Sequence, residues 1–187
     1  MGERERESIV AKRQAAAKRA SSKKRSQRIL VSDTGERVLR EIKSVAKSRR
    51  TMPEKLARVV SLLKENFDTY TWVGFYFVQD DSLALGPYSG KPTIHKKIKI
   101  GEGICGSAAL HKRTIIVSDV SADSRYLACS FETRSEIVVP IISKNTVVAE
   151  LDIDSNYPDA FHTEDKHFLE KVSKILVPLW NKKKPKG

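Results

Sequence analysis

Thr71-Trp-Val-Gly-Phe-Tyr-Phe-Val78 is dense in aromatic and β-branched residues, and Asp80-Asp81 separates it from Ser82-Leu-Ala-Leu-Gly-Pro-Tyr88. Two strand-like runs around a polar turn predict a β-hairpin. Upstream the apolar period is helical. Val38, Leu39, Ile42, Val45 and Ala46 form one stripe, and after Pro53 a second stripe holds Leu56, Val59, Val60, Leu63 and Phe67. Pro in a first turn suits that second helix.

Downstream, Ile94 to Ile100 alternates apolar with basic residues, which predicts a strand with a wet face. Cys105–His111 reads as a short helix. Strands are expected at Thr114–Ser118, Glu136–Ile142 and Thr146–Asp154, the last two joined by a turn at Ser143–Asn145. A closing helix carries Phe168, Leu169, Val172, Ile175, Leu176 and Leu179 on one face. Thr163 is placed to cap it, Glu164 and Asp165 suit its N-terminal end, and Pro178 should stop it. Helices, hairpin-linked strands and a final helix together predict an α+β domain on a central antiparallel sheet.

The chain has 187 residues, room for one domain with a substantial core. Its net charge is +12, but unevenly spread. Residues 1–28 hold ten bases and three acids, residues 182–187 hold four lysines, and residues 29–181 are nearly neutral at +1. We therefore read 1–28 and 182–187 as basic tails around a domain at 29–181. The first tail has no aromatic residue and little to bury, so it reads as a solubilising segment, flexible or a frayed helix. A weak contact with nucleic acid or another acidic surface is its functional alternative. The longest apolar run, Ile137 to Ile142, is far short of the ~20 residues of a membrane span. No apolar leader core is present, and two cysteines make no disulfide scaffold, so the expected setting is the cytoplasm.

Gly101-Glu-Gly-Ile-Cys-Gly106 fits G-x-G-x-x-G, but the preceding segment lacks the continuous apolar run of a buried parallel strand. The glycines are expected to serve a tight turn and a close helix–strand contact. Cys105 then falls in a first helical turn, where backbone N–H groups favour an anion. Alternation sets Glu150, Asp152 and Asp154 on one strand face. Taken alone, that face reads as a solvated surface; otherwise such acids must meet cations, a ligand amine or a shared proton. His95, His111, His162 and His167 show no ligand spacing with the cysteines, so no metal site is expected.

Six stretches in order carry a resemblance: Trp72-Val-Gly-Phe-Tyr76, Leu85-Gly-Pro-Tyr-Ser-Gly-Lys-Pro92, Gly103-Ile-Cys-Gly106, Ala128-Cys129, Arg134-Ser-Glu-Ile-Val-Val-Pro140 and Leu151-Asp-Ile-Asp-Ser155. Through about residues 36–180 the chain resembles the free methionine-(R)-sulfoxide reductases, which are built on a GAF domain. The resemblance implies a GAF fold with an enclosed small-ligand pocket, often in a homodimer. It implies no bound cofactor, with a thioredoxin-like protein as electron donor. It aligns Cys129 with the nucleophile that attacks the sulfoxide sulfur. Glu136, Asp152 and Asp154 align with pocket acids that bind the ammonium and share a proton with the sulfoxide oxygen. Trp72 and Tyr76 align with pocket aromatics. Many relatives carry a further cysteine where Thr93 and Ile94 stand here, so Cys105 is the internal candidate for resolving oxidised Cys129. A pocket of this kind in a non-catalytic ligand sensor is the alternative.

Overall fold

The structure, a computed structural model, describes residues 33–127 and 131–181. The basic tails and Cys129 lie outside the described residues. The chain divides into two units at Arg37/Val38, and the second holds everything that follows.

Helix α1 spans 33–47 and α2 spans Met52–Asn66. Thr51 caps α2: its N–H and hydroxyl donate to Glu54 Oε2 at 2.8 and 2.7 Å. The expected hairpin is present as β1, Trp72–Gln79, and β2, Ser82–Ser89. Then follow β3 at Lys97–Lys99, α3 at Gly103–His111, β4 at Ile115–Val117, β5 at Ser135–Ser143, β6 at Thr146–Ser155 and α4 at Thr163–Leu176. The six strands form one antiparallel sheet in the order β3-β2-β1-β6-β5-β4. Lys144 and Asn145 take positive φ in the two-residue β5–β6 turn, as a tight hairpin with right-handed twist requires.

One sheet face turns Val73, Phe75, Ile137, Val139, Leu151 and Ile153 into the main core, under α2, α4 and the Val38–Val45 stripe of α1. Burial of this face is the principal stabilising term of the domain. The other face is covered by α3 and a smaller apolar cluster that includes Tyr76, Ile98, Ile104 and Val138. The α+β reading, with helices flanking a central antiparallel sheet, therefore holds.

Two local expectations are corrected. The alternating run from Ile94 is a strand only at Lys97–Lys99, with Ile98 buried between two exposed lysines. Residues before it leave the sheet edge: Lys96 N donates to Ile94 O, and His95 N donates to Thr93 Oγ1. Ile94 is consequently 81% exposed. The cap of α4 is His162, not Thr163, because the His162 N–H finds Oδ2 of Asp165 at 2.9 Å. The other oxygen of Asp165 accepts from the buried Tyr70 hydroxyl at 3.0 Å, so one side chain serves both ends of that contact. Pro178 does end α4, which passes into a single 3-10 turn at Val177–Leu179.

Candidate active site

The site is written into strand register. Trp72 and Glu136 both stand opposite Asp154, Gly74 and Val138 opposite Asp152, and Tyr76 opposite Glu150. Partners across a ladder point to the same side, so β1, β5 and β6 project aromatic and acidic groups onto one face. Leu151 and Ile153 anchor the opposite face in the main core, and this fixes which way the acids point.

That face is not solvated, contrary to the expectation from β6 alone. Glu150, Asp152, Asp154 and Glu136 are only 0, 3, 4 and 5% exposed. Alternation shows which residues share a face but not what covers it; the cover here is α3 and the segment that precedes β3.

Burial opposes ionisation, and each ionised acid opposes its neighbours. Desolvation first, then the charges of Asp152, Asp154 and Glu150, hold Glu136 well above the usual carboxyl range. Desolvation and Asp152 do the same to Asp154, which its hydrogen bond to Thr133 offsets only in part. Glu150 is likewise pushed well up by burial and by Asp152. Asp152 is raised to about 7, by burial, against the opposing effect of Cys105 and of a backbone hydrogen bond. Burial and mutual repulsion therefore favour the protonated forms of these four acids. Both carboxyl oxygens of Glu150 and Oδ1 of Asp152 find no hydrogen-bond partner among the described residues. Buried polar atoms left in that condition are costly and point to a ligand that completes them.

Cys105 is brought to the same place from α3. It is buried, and its sulfur lies 3.9 Å from Glu136 Oε1. The glycine reading around it holds. Gly101 and Gly103 have φ of +95° and +66°, and a Cβ on Gly106 would collide with the Lys99 carbonyl. The thiol and one oxygen each of Glu136 and Asp152 lie within 4.8 Å of one another. This donor set suits a cation, with no histidine in it.

Trp72 and Tyr76 make the aromatic wall, their centroids 6.4 Å apart, and Trp72 also stacks on Tyr88 at 5.5 Å. The indole lies over Gly74, where a Cβ would collide with it. Its N–H donates to Lys91 O, and the Tyr76 hydroxyl donates to His95 O, tying the 91–96 segment to the wall. A cavity of about 90 Å³ opens between Trp72, Thr93, Thr133 and Asp154, with Lys91 and Glu132 at its rim. Thr93, Thr133, Lys91, Glu132 and the depth of Glu150 were missed in the sequence. Only the last had a signal, in the alternation of β6.

The predicted site residues Trp72, Tyr76, Cys105, Glu136, Asp152 and Asp154 thus share one face. Cys129 lies outside the described residues; in sequence it precedes Glu132 and Thr133 of the cavity by three and four positions.

Comparison with known proteins shows the family. The GAF domain family model matches residues 32–177. The free methionine-R-sulfoxide reductase of Escherichia coli K12 is 37% identical over 117 residues, 63% of this chain and 70% of that protein. GAF domain-containing protein A of Dictyostelium discoideum is 34% identical over 142 residues, 75% of this chain and 89% of that protein. The X-ray structure of free methionine-R-sulfoxide reductase from Neisseria meningitidis in complex with its substrate superposes with a TM-score of 0.75 at 36% identity. It covers 79% of this chain and 88% of that one.

Proposed function

Because this chain belongs to the GAF domain family, and to the group of free methionine-R-sulfoxide reductases within it, we propose that it reduces free methionine (R)-sulfoxide to methionine. The observation that carries the reading is a cluster of buried carboxyls, their pKa values raised by burial, that reaches a cavity through Asp154 beside the Trp72 indole. A sulfoxide sulfur is a poor electrophile until its oxygen is protonated or hydrogen-bonded. A carboxyl that keeps its proton at neutral pH is the acid this step needs. Asp154 and Glu136, whose protonated forms burial favours, are the candidates for that acid, and Asp152 is the partner for the substrate ammonium. Trp72 and Tyr76 exclude water around the methyl-thioether end.

Cys129 attacks the sulfoxide sulfur while the acid delivers a proton to its oxygen. The new bond between the Cys129 sulfur and the substrate sulfur gives a hydroxyl-bearing adduct. That hydroxyl passes from the substrate sulfur to the Cys129 sulfur, and the sulfur–sulfur bond breaks with its electron pair going to the departing methionine, leaving Cys129 as a sulfenic acid. A second thiol, for which Cys105 is the internal candidate, then displaces water to form a disulfide. A thioredoxin-like dithiol reduces that disulfide and is oxidised in turn.

The test is a single turnover. Reduced protein given free methionine (R)-sulfoxide without added thiol should release about one methionine per chain, in step with oxidation of Cys129 seen by mass spectrometry. Equal release from Cys129→Ser would refute the assignment of the nucleophile.

A further inference from the structure

The cavity carries polar groups on both sides. Asp154 is the member of the carboxyl cluster that lines it, and among the described lining residues its one cation is Lys91. The Lys91 backbone is held to the wall by the Trp72 N–H, so the side chain starts from a fixed point on the rim. Its Nζ donates to Glu132 Oε1 across the opening at 2.6 Å. The other oxygen of Glu132 accepts from Asn156 Nδ2, and Asn156 Oδ1 accepts from the Thr71 hydroxyl. A carboxylate therefore already sits against Lys91 at the cavity mouth. Lys91 and Glu132 are 69% and 51% exposed, so the pair is weak and readily exchanged.

Building on the function proposed above, we infer that Lys91 receives the α-carboxylate of the substrate, which takes the place of Glu132. A free amino acid then spans the cavity, with its ammonium toward the acids and its carboxylate on Lys91. A residue inside a peptide has neither charge to offer, so this arrangement selects the free amino acid. Lys91 acts in specificity, and the reacting atoms do not touch it.

Calorimetric binding to the full chain carrying Cys129→Ser tests this, with methionine (R)-sulfoxide and its α-carboxamide as probes. The acid should bind up to about fivefold tighter than the amide, the scale of an exposed ion pair. Lys91→Met, which keeps the stem and removes the charge, should abolish that preference by weakening the acid alone. Lys97→Met, on the exposed edge of β3, should leave it intact. In the active protein, Lys91→Met should raise KM with kcat nearly unchanged. An acid preference that survives Lys91→Met, or that is absent from the Cys129→Ser protein, overturns the role of Lys91 while the enzymatic reading stands. Failure of that protein to bind either probe overturns both.

Discussion

The sulfur of Cys105 and Oε1 of Glu136 lie 3.9 Å apart, although one comes from a helix and the other from a strand 31 residues on. The thiol is therefore part of the carboxyl cluster and not a separate element of the core. Cys105→Ser should leave the first methionine release intact and slow thioredoxin-supported cycling. Multiple-turnover rates set beside a single-turnover burst separate the two effects. Unchanged cycling would remove Cys105 as the resolving thiol.

Thr93 and Ile94, where the resemblance implies a further cysteine, are not equivalent. Thr93 is buried on the cavity wall, whereas Ile94 is 81% exposed. Thr93→Cys should therefore accelerate recycling, and Ile94→Cys should not. Steady-state rates with a thioredoxin-like donor check this, and equal behaviour of the two variants would contradict it.

Asp154 stands opposite both Trp72 and Glu136, and burial with the neighbouring Asp152 charge raises its pKa well above the usual carboxyl range. Asp154→Asn should slow the first chemical step by about 10²–10⁴-fold, the usual weight of a general acid. Rapid-quench release of methionine measures it. An unchanged rate would shift the acid role to Glu136.

The same acids make stability depend on pH, with a sign that follows from their direction of shift. Below the ordinary carboxyl range both folded and unfolded chains are protonated, and the contribution is complete. As pH rises the unfolded chain ionises first while the buried groups keep their protons, so stability falls through the folded value of Asp152, about 7. Glu150, fully buried and with its pKa raised by desolvation more than the Cys105 thiol beside it lowers it, should contribute most cleanly. Glu150→Leu should raise Tm at pH 8 and flatten its fall between pH 5 and 8. An unaltered slope would mean that Glu150 is ionised in the folded protein.

Gly74 faces Asp152 and lies under the Trp72 indole. Gly74→Ala forces that ring away, so substrate KM should rise, and stability should fall by about 1–3 kcal/mol, as overpacking does. Thermal melts and KM measured together check this. Wild-type values for both would show that the ring position is not needed.

Much of this was legible in the sequence because local periodicity reports local geometry. The stripe from Phe168 to Leu179 marked α4, and the aromatic run from Trp72 marked β1. Asp152 and Asp154 were legible as a shared face for the same reason. Their burial was not, since the covering residues, Ile104 and Cys105 of α3 and Thr93 of the 91–96 segment, are 47 or more positions away along the chain. The Ile94–Ile100 alternation misled because pattern alone cannot tell a sheet edge from a segment that leaves it to line a cavity. Lys91 and Glu132, 41 residues apart, carry no signal until the fold joins them.

Reductase activity requires the cavity to take a free amino-acid sulfoxide and an acid beside it to protonate the sulfoxide oxygen. The direct measurement is methionine release from free methionine (R)-sulfoxide by the reduced protein with dithiothreitol, with the S epimer and a sulfoxide-containing peptide run alongside. Release from the free R epimer alone is the predicted result. No release from folded, reduced protein, or equal release from all three, would contradict it.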